Sequence, residues 1–121
     1  MRELLYGWAA YPASSMYPRL RDYQIAHPTV TLSEVLTGIA PGGSVASDAM
    51  YTSSAIIVQA IYRRSGIAGL RRFAAVSGGP DKVLQRVPEF LGLGGDQTLD
   101  DWWRAETAEL STPRWKLTAS H

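Results

Sequence analysis

The sequence predicts an all-α fold, an irregular bundle of about five or six short helices, on three observations. Apolar residues recur at helical spacing from Ser47 to Phe73, the longest patterned run in the chain. Glycine and proline divide the remainder into segments of helix length. No stretch shows a convincing strand pattern beyond short β-branched groups such as Thr29 to Thr31. At 121 residues, 45% of them apolar, with four Trp and six Tyr, the chain is long enough to bury one core without disulfides or a metal. The expected organisation is a single helical domain over 1–121, with 12–31 an irregular connection and 111–121 a loosely held tail.

Taken in order, Glu3 to Ala10 suits a helix stopped by Pro12, after which Pro12, Pro18 and Pro28 break up the connection. Thr31 or Ser33 is placed to cap a short helix over Leu32 to Leu36, closed by Gly38, and Pro41, Gly42 and Gly43 form the next loop. Ser47 then caps the longest helix, with Asp48 in its first turn, where the helix dipole favours negative charge. Tyr51, Ala55, Val58 and Tyr62 form its apolar stripe, widened by Ile57 and Ile61, while Ser53, Arg63 and Arg64 take polar positions.

Gly66 suits a left-handed helix stop, and Ile67 to Val76 resumes a helix in which Leu70, Phe73 and Ala74 share a face. Ser77 to Pro80 is the next break, with Pro80 tolerated at a helix start. Asp81 to Leu91 reads as a helix carrying Val83, Leu84 and Val87, which Pro88 should end or kink, and Leu91 to Gly95 is a turn. Thr98 caps a last helix with Asp100 and Asp101 in its first turn and Leu99, Trp102, Trp103 and Leu110 as its apolar contacts; Pro113 limits it.

Composition removes several classes of function. Twelve basic and eleven acidic residues, net +1, are spread along the chain and leave no footprint for nucleic acid. The densest basic group, Arg63, Arg64, Arg71 and Arg72, reads as a solvated helix face or, alternatively, as a patch for an anionic ligand. Cysteine is absent, which excludes disulfides, thiolate nucleophiles and cysteine-ligated zinc. His27 and His121 are the only histidines and form no H-x-x-x-H pair, so no metal ligand is assigned in this chain.

Ser53 and Ser54 lie in a helical pattern rather than a nucleophile elbow, and Gly92, Gly94 and Gly95 lack the Lys-Ser or Lys-Thr of a phosphate loop. Asp100 and Asp101 point about 100° apart on a helix, which suits dipole charges better than an acid–base pair. Trp102 and Trp103 read as core or partner contacts. No run approaches the roughly 18 apolar residues of a membrane span, and MRELLYGWAAYPASS lacks the basic start and long apolar run of a signal peptide. The sequence specifies no compartment.

Three groups of residues form an ordered series: Tyr51-Thr52-Ser53-Ser54-Ala55; Tyr62-Arg63-Arg64-Ser65-Gly66 with Leu70; and Leu99 to Trp103-Arg104. This series resembles the C-terminal helical part of the peptidase MA-like gluzincin metallopeptidases, distant relatives of thermolysin. The family pattern W-x-x-E-G-x-A-x-Y, whose glutamate is a zinc ligand, is matched by Leu5-Tyr6-Gly7-Trp8-Ala9-Ala10-Tyr11 at its Gly, Ala and Tyr, with Tyr6 where the glutamate belongs. The family's H-E-x-x-H segment has no counterpart in the chain. The resemblance implies zinc for a complete family member and none in this chain.

In aminopeptidases of this group a Tyr in a Y-E-K-G-type motif hydrogen-bonds the developing oxyanion. Tyr51 matches that Tyr, although Thr52-Ser53-Ser54 departs from E-K-G, and the resemblance makes it the one candidate catalytic residue. The bland alternative makes Tyr51 a core residue at a helix start.

The resemblance therefore implies a helical subdomain of a gluzincin-type zinc hydrolase, truncated or degenerate and without hydrolase activity alone, whose partner is the missing N-terminal catalytic half. A subdomain of this kind is expected to leave apolar area uncovered and to self-associate. The alternatives are a free-standing helical interaction module, using Trp102, Trp103, Tyr17 and Tyr23 as protein contacts, and a small domain binding an anionic ligand through its paired arginines. Neither nucleic acid nor a membrane is an expected partner.

Overall fold

Seven consecutive residues in the middle of the chain, Thr52 to Val58, are buried, so one helix is covered on every side over about two turns and the others pack around it. The computed structural model describes residues 14–112. It contains five helices: α1 (Met16–Ala26), α2 (Leu32–Thr37), α3 (Ser44–Ala74), α4 (Gly79–Leu91) and α5 (Leu99–Ser111). No strand occurs among the described residues, and the fold is all-α. The expected helix over Glu3 to Ala10 and the tail beyond Thr112 lie outside the described residues.

The central helix α3 starts four residues earlier than its sequence suggests. Gly43 occupies the N-cap position, and Ser47 lies inside the helix, its hydroxyl donating to the Gly43 carbonyl at 3.4 Å. Ser47 is therefore not the cap, and Asp48 stands beyond the first turn. The predicted stripe holds at Ala55, Ile57, Val58 and Ile61, all buried, but its ends reach the surface, with Tyr51 39% and Tyr62 41% exposed. Ser53, expected at a polar position, is fully buried because α5 covers it.

The predicted stop at Gly66 is a break inside α3. Its φ of 65° and ψ of −161° lie in a region that essentially only glycine occupies, and a helical path resumes immediately after it. Leu70 and Phe73 face inward on the second half, whereas Ala74 is exposed.

The segment expected to be irregular contains a full helix, α1. Pro18 falls in its first turn, where backbone N–H groups have no intrahelical partner, and Pro28 comes after its end, so neither proline breaks it. Its inward face is Leu20, Tyr23 and Gln24, an i, i+3, i+4 set that includes a polar residue and so gives a thin hydrophobic signal. This helix packs mainly on α5 and α3.

The short helix α2 has the capping box the sequence suggests. Thr31 Oγ1 accepts from the Glu34 N–H at 3.1 Å, and Glu34 Oε1 accepts from the Thr31 N–H at 2.9 Å. A third contact comes from α5, where Asp100 Oδ1 accepts the Leu32 N–H at 2.8 Å. Asp100 thus caps a neighbouring helix as well as sitting at the start of its own.

Helix α4 packs on the second half of α3, with Phe73 and Phe90 edge-to-face at 5.2 Å and Val83 and Val87 buried. It runs through Pro88 instead of ending there. The proline removes one backbone donor, and the helix closes a turn later, where the Leu93 N–H reaches the Pro88 carbonyl at 3.1 Å. Helix α5 begins at the predicted Thr98 cap, whose hydroxyl accepts from the Asp101 N–H at 3.1 Å.

Candidate functional site

The basic residues singled out in the sequence come apart in three dimensions. Adjacent helical residues point about 100° apart, so each Arg-Arg pair serves two directions. Arg63 pairs with Glu106 of α5 at 2.6 Å, tying α3 to the last helix. Arg64 turns the other way, toward α4. Its guanidinium lies over Gly92 at the α4 C-terminus, so close that a Cβ there would stand 2.2 Å from Arg64 Cζ. The carbonyl end of α4 carries partial negative charge, which favours a cation in that place.

Arg72 follows the break at Gly66. In an unbroken helix Arg64 and Arg72 would be rotated about 80° and separated by about 12 Å along the axis. With the path redirected at Gly66, both line one open cleft of about 430 Å³ between α3 and α4. Helix α4 contributes Arg86, Glu89 and Phe90 to the same cleft, and Ala75 and Val76 complete an apolar side.

Three guanidinium groups and one carboxylate therefore line this cleft. Glu89 is already engaged, its Oε2 accepting from Arg86 Nε at 2.7 Å, and the Arg86 guanidinium sits 5.7 Å from the Phe90 ring centroid. Among the described residues, neither Arg64 nor Arg72 forms an ion pair. The result is a concave surface with excess positive charge beside a fixed aromatic wall. Arg86 and Phe90 were not among the residues the sequence pointed to; their only signal is an i, i+4 placement on the flank of the Val83–Val87 stripe.

A second cleft, also about 430 Å³, separates α1 from the first half of α3. Arg19, Asp22, His27 and Asp48 line it with both signs of charge. Thr52 also lines it, and its buried Oγ1 has no hydrogen-bond partner. Burial, and secondarily the Glu34 carboxylate, push the Tyr23 phenol above its usual pKa, and it donates to the Pro41 carbonyl at 2.5 Å. This cleft offers no charge preference comparable with that of the arginine cleft.

The other candidates from the sequence have structural roles. Trp103 is fully buried and donates from Nε1 to Ser53 Oγ at 2.9 Å, and Trp102 is buried too, which removes both as surface contacts. Tyr23 is likewise buried. Arg104 donates to the carbonyls of Gln24 at 3.0 Å and Val30 at 2.7 Å, closing the C-terminal end of α1. His27 is the C-cap residue of α1, its ring 4.6 Å from that of Tyr23.

Tyr51 lies on α3 and lines neither of these two clefts. Among the described residues no group of three His, Asp or Glu side chains is placed to hold a metal ion. No described helix is long and apolar enough to cross a membrane. The stretch around Tyr6 that resembles the zinc-ligand pattern lies outside the described residues. No protein-family model, curated protein or solved structure matches the chain.

Proposed function

We propose that this chain is a small helical binding module whose α3–α4 cleft takes an anionic ligand. The observation that carries the reading is the convergence of Arg64, Arg72 and Arg86 from three separate stretches of helix, with the one lining carboxylate already bonded to Arg86. Guanidinium groups suit phosphate and carboxylate oxygens because their planar forks donate two parallel hydrogen bonds. The cleft size falls within the range typical of small-molecule sites.

The binding-module reading is preferred to a peptidase subdomain with Tyr51 as oxyanion donor. Trp103 and Arg104, on which the peptidase resemblance leans, are engaged in packing and capping. Ser53 and Ser54 likewise lie in the interior, where Ser54 Oγ donates to the Met50 carbonyl at 2.9 Å.

Calorimetric titration with inorganic pyrophosphate tests the proposal. Saturable binding of one equivalent is expected, weakening as salt is raised because the arginines are solvent-exposed. Replacing Arg64 and Arg72 together by Gln should abolish it while leaving the circular dichroism melt nearly unchanged. Absence of saturable heat, or unaltered binding by the double variant, would refute the reading.

A further inference from the structure

Resting on the proposal that the cleft binds an anion, we infer that its ligand is a phosphomonoester carrying a compact apolar body. The charge count comes first. Three guanidinium groups less the paired Glu89 leave an excess of two positive charges facing the cleft. A phosphomonoester brings about −1.5 to −2 at neutral pH and three acceptor oxygens, enough to engage guanidiniums from more than one direction. A carboxylate or a sulfate ester brings a single charge and leaves one arginine uncompensated.

Space gives the second argument. A cleft of about 430 Å³ far exceeds what a bare phosphate fills, given that one water takes about 30 Å³ of liquid volume. Apart from the Ser65 hydroxyl, the remaining wall is apolar. Ala75 and Val76, at the end of α3, and Phe90, on α4, supply it, and the Phe90 ring is held by its edge-to-face contact with Phe73. Water against that wall gains nothing, whereas an apolar group placed there is removed from solvent. Guanidinium charge with a fixed aromatic side chain beside it, the Arg86 guanidinium lying 5.7 Å from the Phe90 ring centroid, therefore describes a ligand whose phosphate head is joined directly to a body of about one ring. Glu89 acts as a selectivity element by setting the positive excess at two instead of three.

Titration of the full chain with phenyl phosphate, inorganic phosphate and phenyl sulfate tests this. Phenyl phosphate should bind at least about tenfold tighter than inorganic phosphate, the gain expected from burying much of one ring. It should also bind about tenfold tighter than phenyl sulfate, which has the same body and one charge fewer. Phe90→Ala should weaken phenyl phosphate and leave pyrophosphate binding within about twofold, while Arg72→Gln should weaken both. Should Phe90→Ala unfold the chain, the comparison of the three probes on the unaltered protein decides alone.

If pyrophosphate binds but phenyl phosphate gains nothing over inorganic phosphate, the cleft is a plain anion site and this inference falls while the proposed function stands. Equal binding of phenyl sulfate and phenyl phosphate would overturn the charge argument. If pyrophosphate and all three probes fail, the proposed function falls with it.

Discussion

The hydrogen bond from the Trp103 indole to Ser53 joins α5 to the centre of α3, and its worth can be worked from the structure. Both residues are 0% exposed and the donor–acceptor distance is 2.9 Å. Ser53→Ala leaves the indole N–H in the interior without a partner. A donor stranded this way costs about 1–3 kcal/mol, offset by about 0.5 kcal/mol because Ala is the better helix former. The expected net loss is about 1–2 kcal/mol, or roughly 4–10 °C in Tm for a domain near this size.

The decisive comparison uses a second background. Trp103→Phe removes the donor and part of a large buried side chain, costing about 2–4 kcal/mol on its own. In that background Ser53→Ala strands nothing and deletes a hydroxyl that has itself lost its partner, so it should be neutral or slightly stabilising. Urea unfolding followed by circular dichroism gives all four stabilities, and the coupling between the two sites should be about 1–2 kcal/mol. If Ser53→Ala costs the same in both backgrounds, the bond contributes nothing and burial of Ser53 needs another explanation.

Two further outcomes follow from particular backbone and side-chain positions. Gly66→Ala should lower stability by about 1–3 kcal/mol through backbone strain alone, since nothing lies within 4 Å of the added Cβ, and should weaken pyrophosphate binding by turning Arg72 away. A rise in Tm, as for a glycine in a straight helix, would disprove the break. The Tyr23 phenol has a raised pKa in the folded chain, so its contribution to stability is complete below pH 10, the usual phenol value, and is lost as pH rises through the folded value. Alkaline unfolding should be shallower in Tyr23→Phe, and an unchanged pH dependence above pH 10 would contradict the assignment.

Much of the helical plan was legible because its signals are local. The Thr31 cap with Glu34 three residues on, Thr98 before an acidic first turn, and the breaks at Gly66 and Gly92 each depend on a few adjacent residues. Helix α1 was not legible, since its prolines read as breakers until their positions in the helix are known. Pro18 is harmless in a first turn and would not be in the middle of one.

Ser53 misled for the opposite reason. A serine on a helix reads as solvated, and only the arrival of the Trp103 indole from fifty residues away makes it an interior acceptor. The arginine cleft was half legible. The sequence showed the paired arginines but not which member of each pair would be taken up elsewhere, and the partners that define the site come from α4.

The position of the cleft has a physical reason in how unevenly the helices are supported. Helices α1, α2 and α5 meet α3 before Gly66, whereas α4 meets it at Phe73, beyond the break, and has its own extensive packing against α3 alone. Elements with fewer buried contacts open at lower free energy than the centre of a domain. Arg64 stands before the break, Arg72 after it and Arg86 on α4, so an anion engaging all three would link the well-supported half of α3 to the unit that leans on it. Without a ligand, Arg64 rests at the α4 C-terminus and Arg86 on Glu89, while Arg72 has no ion pair among the described residues to hold its side of the seam. Under the proposed anion binding, ligand occupancy and local order would be coupled through the same three arginines at the least supported part of this fold.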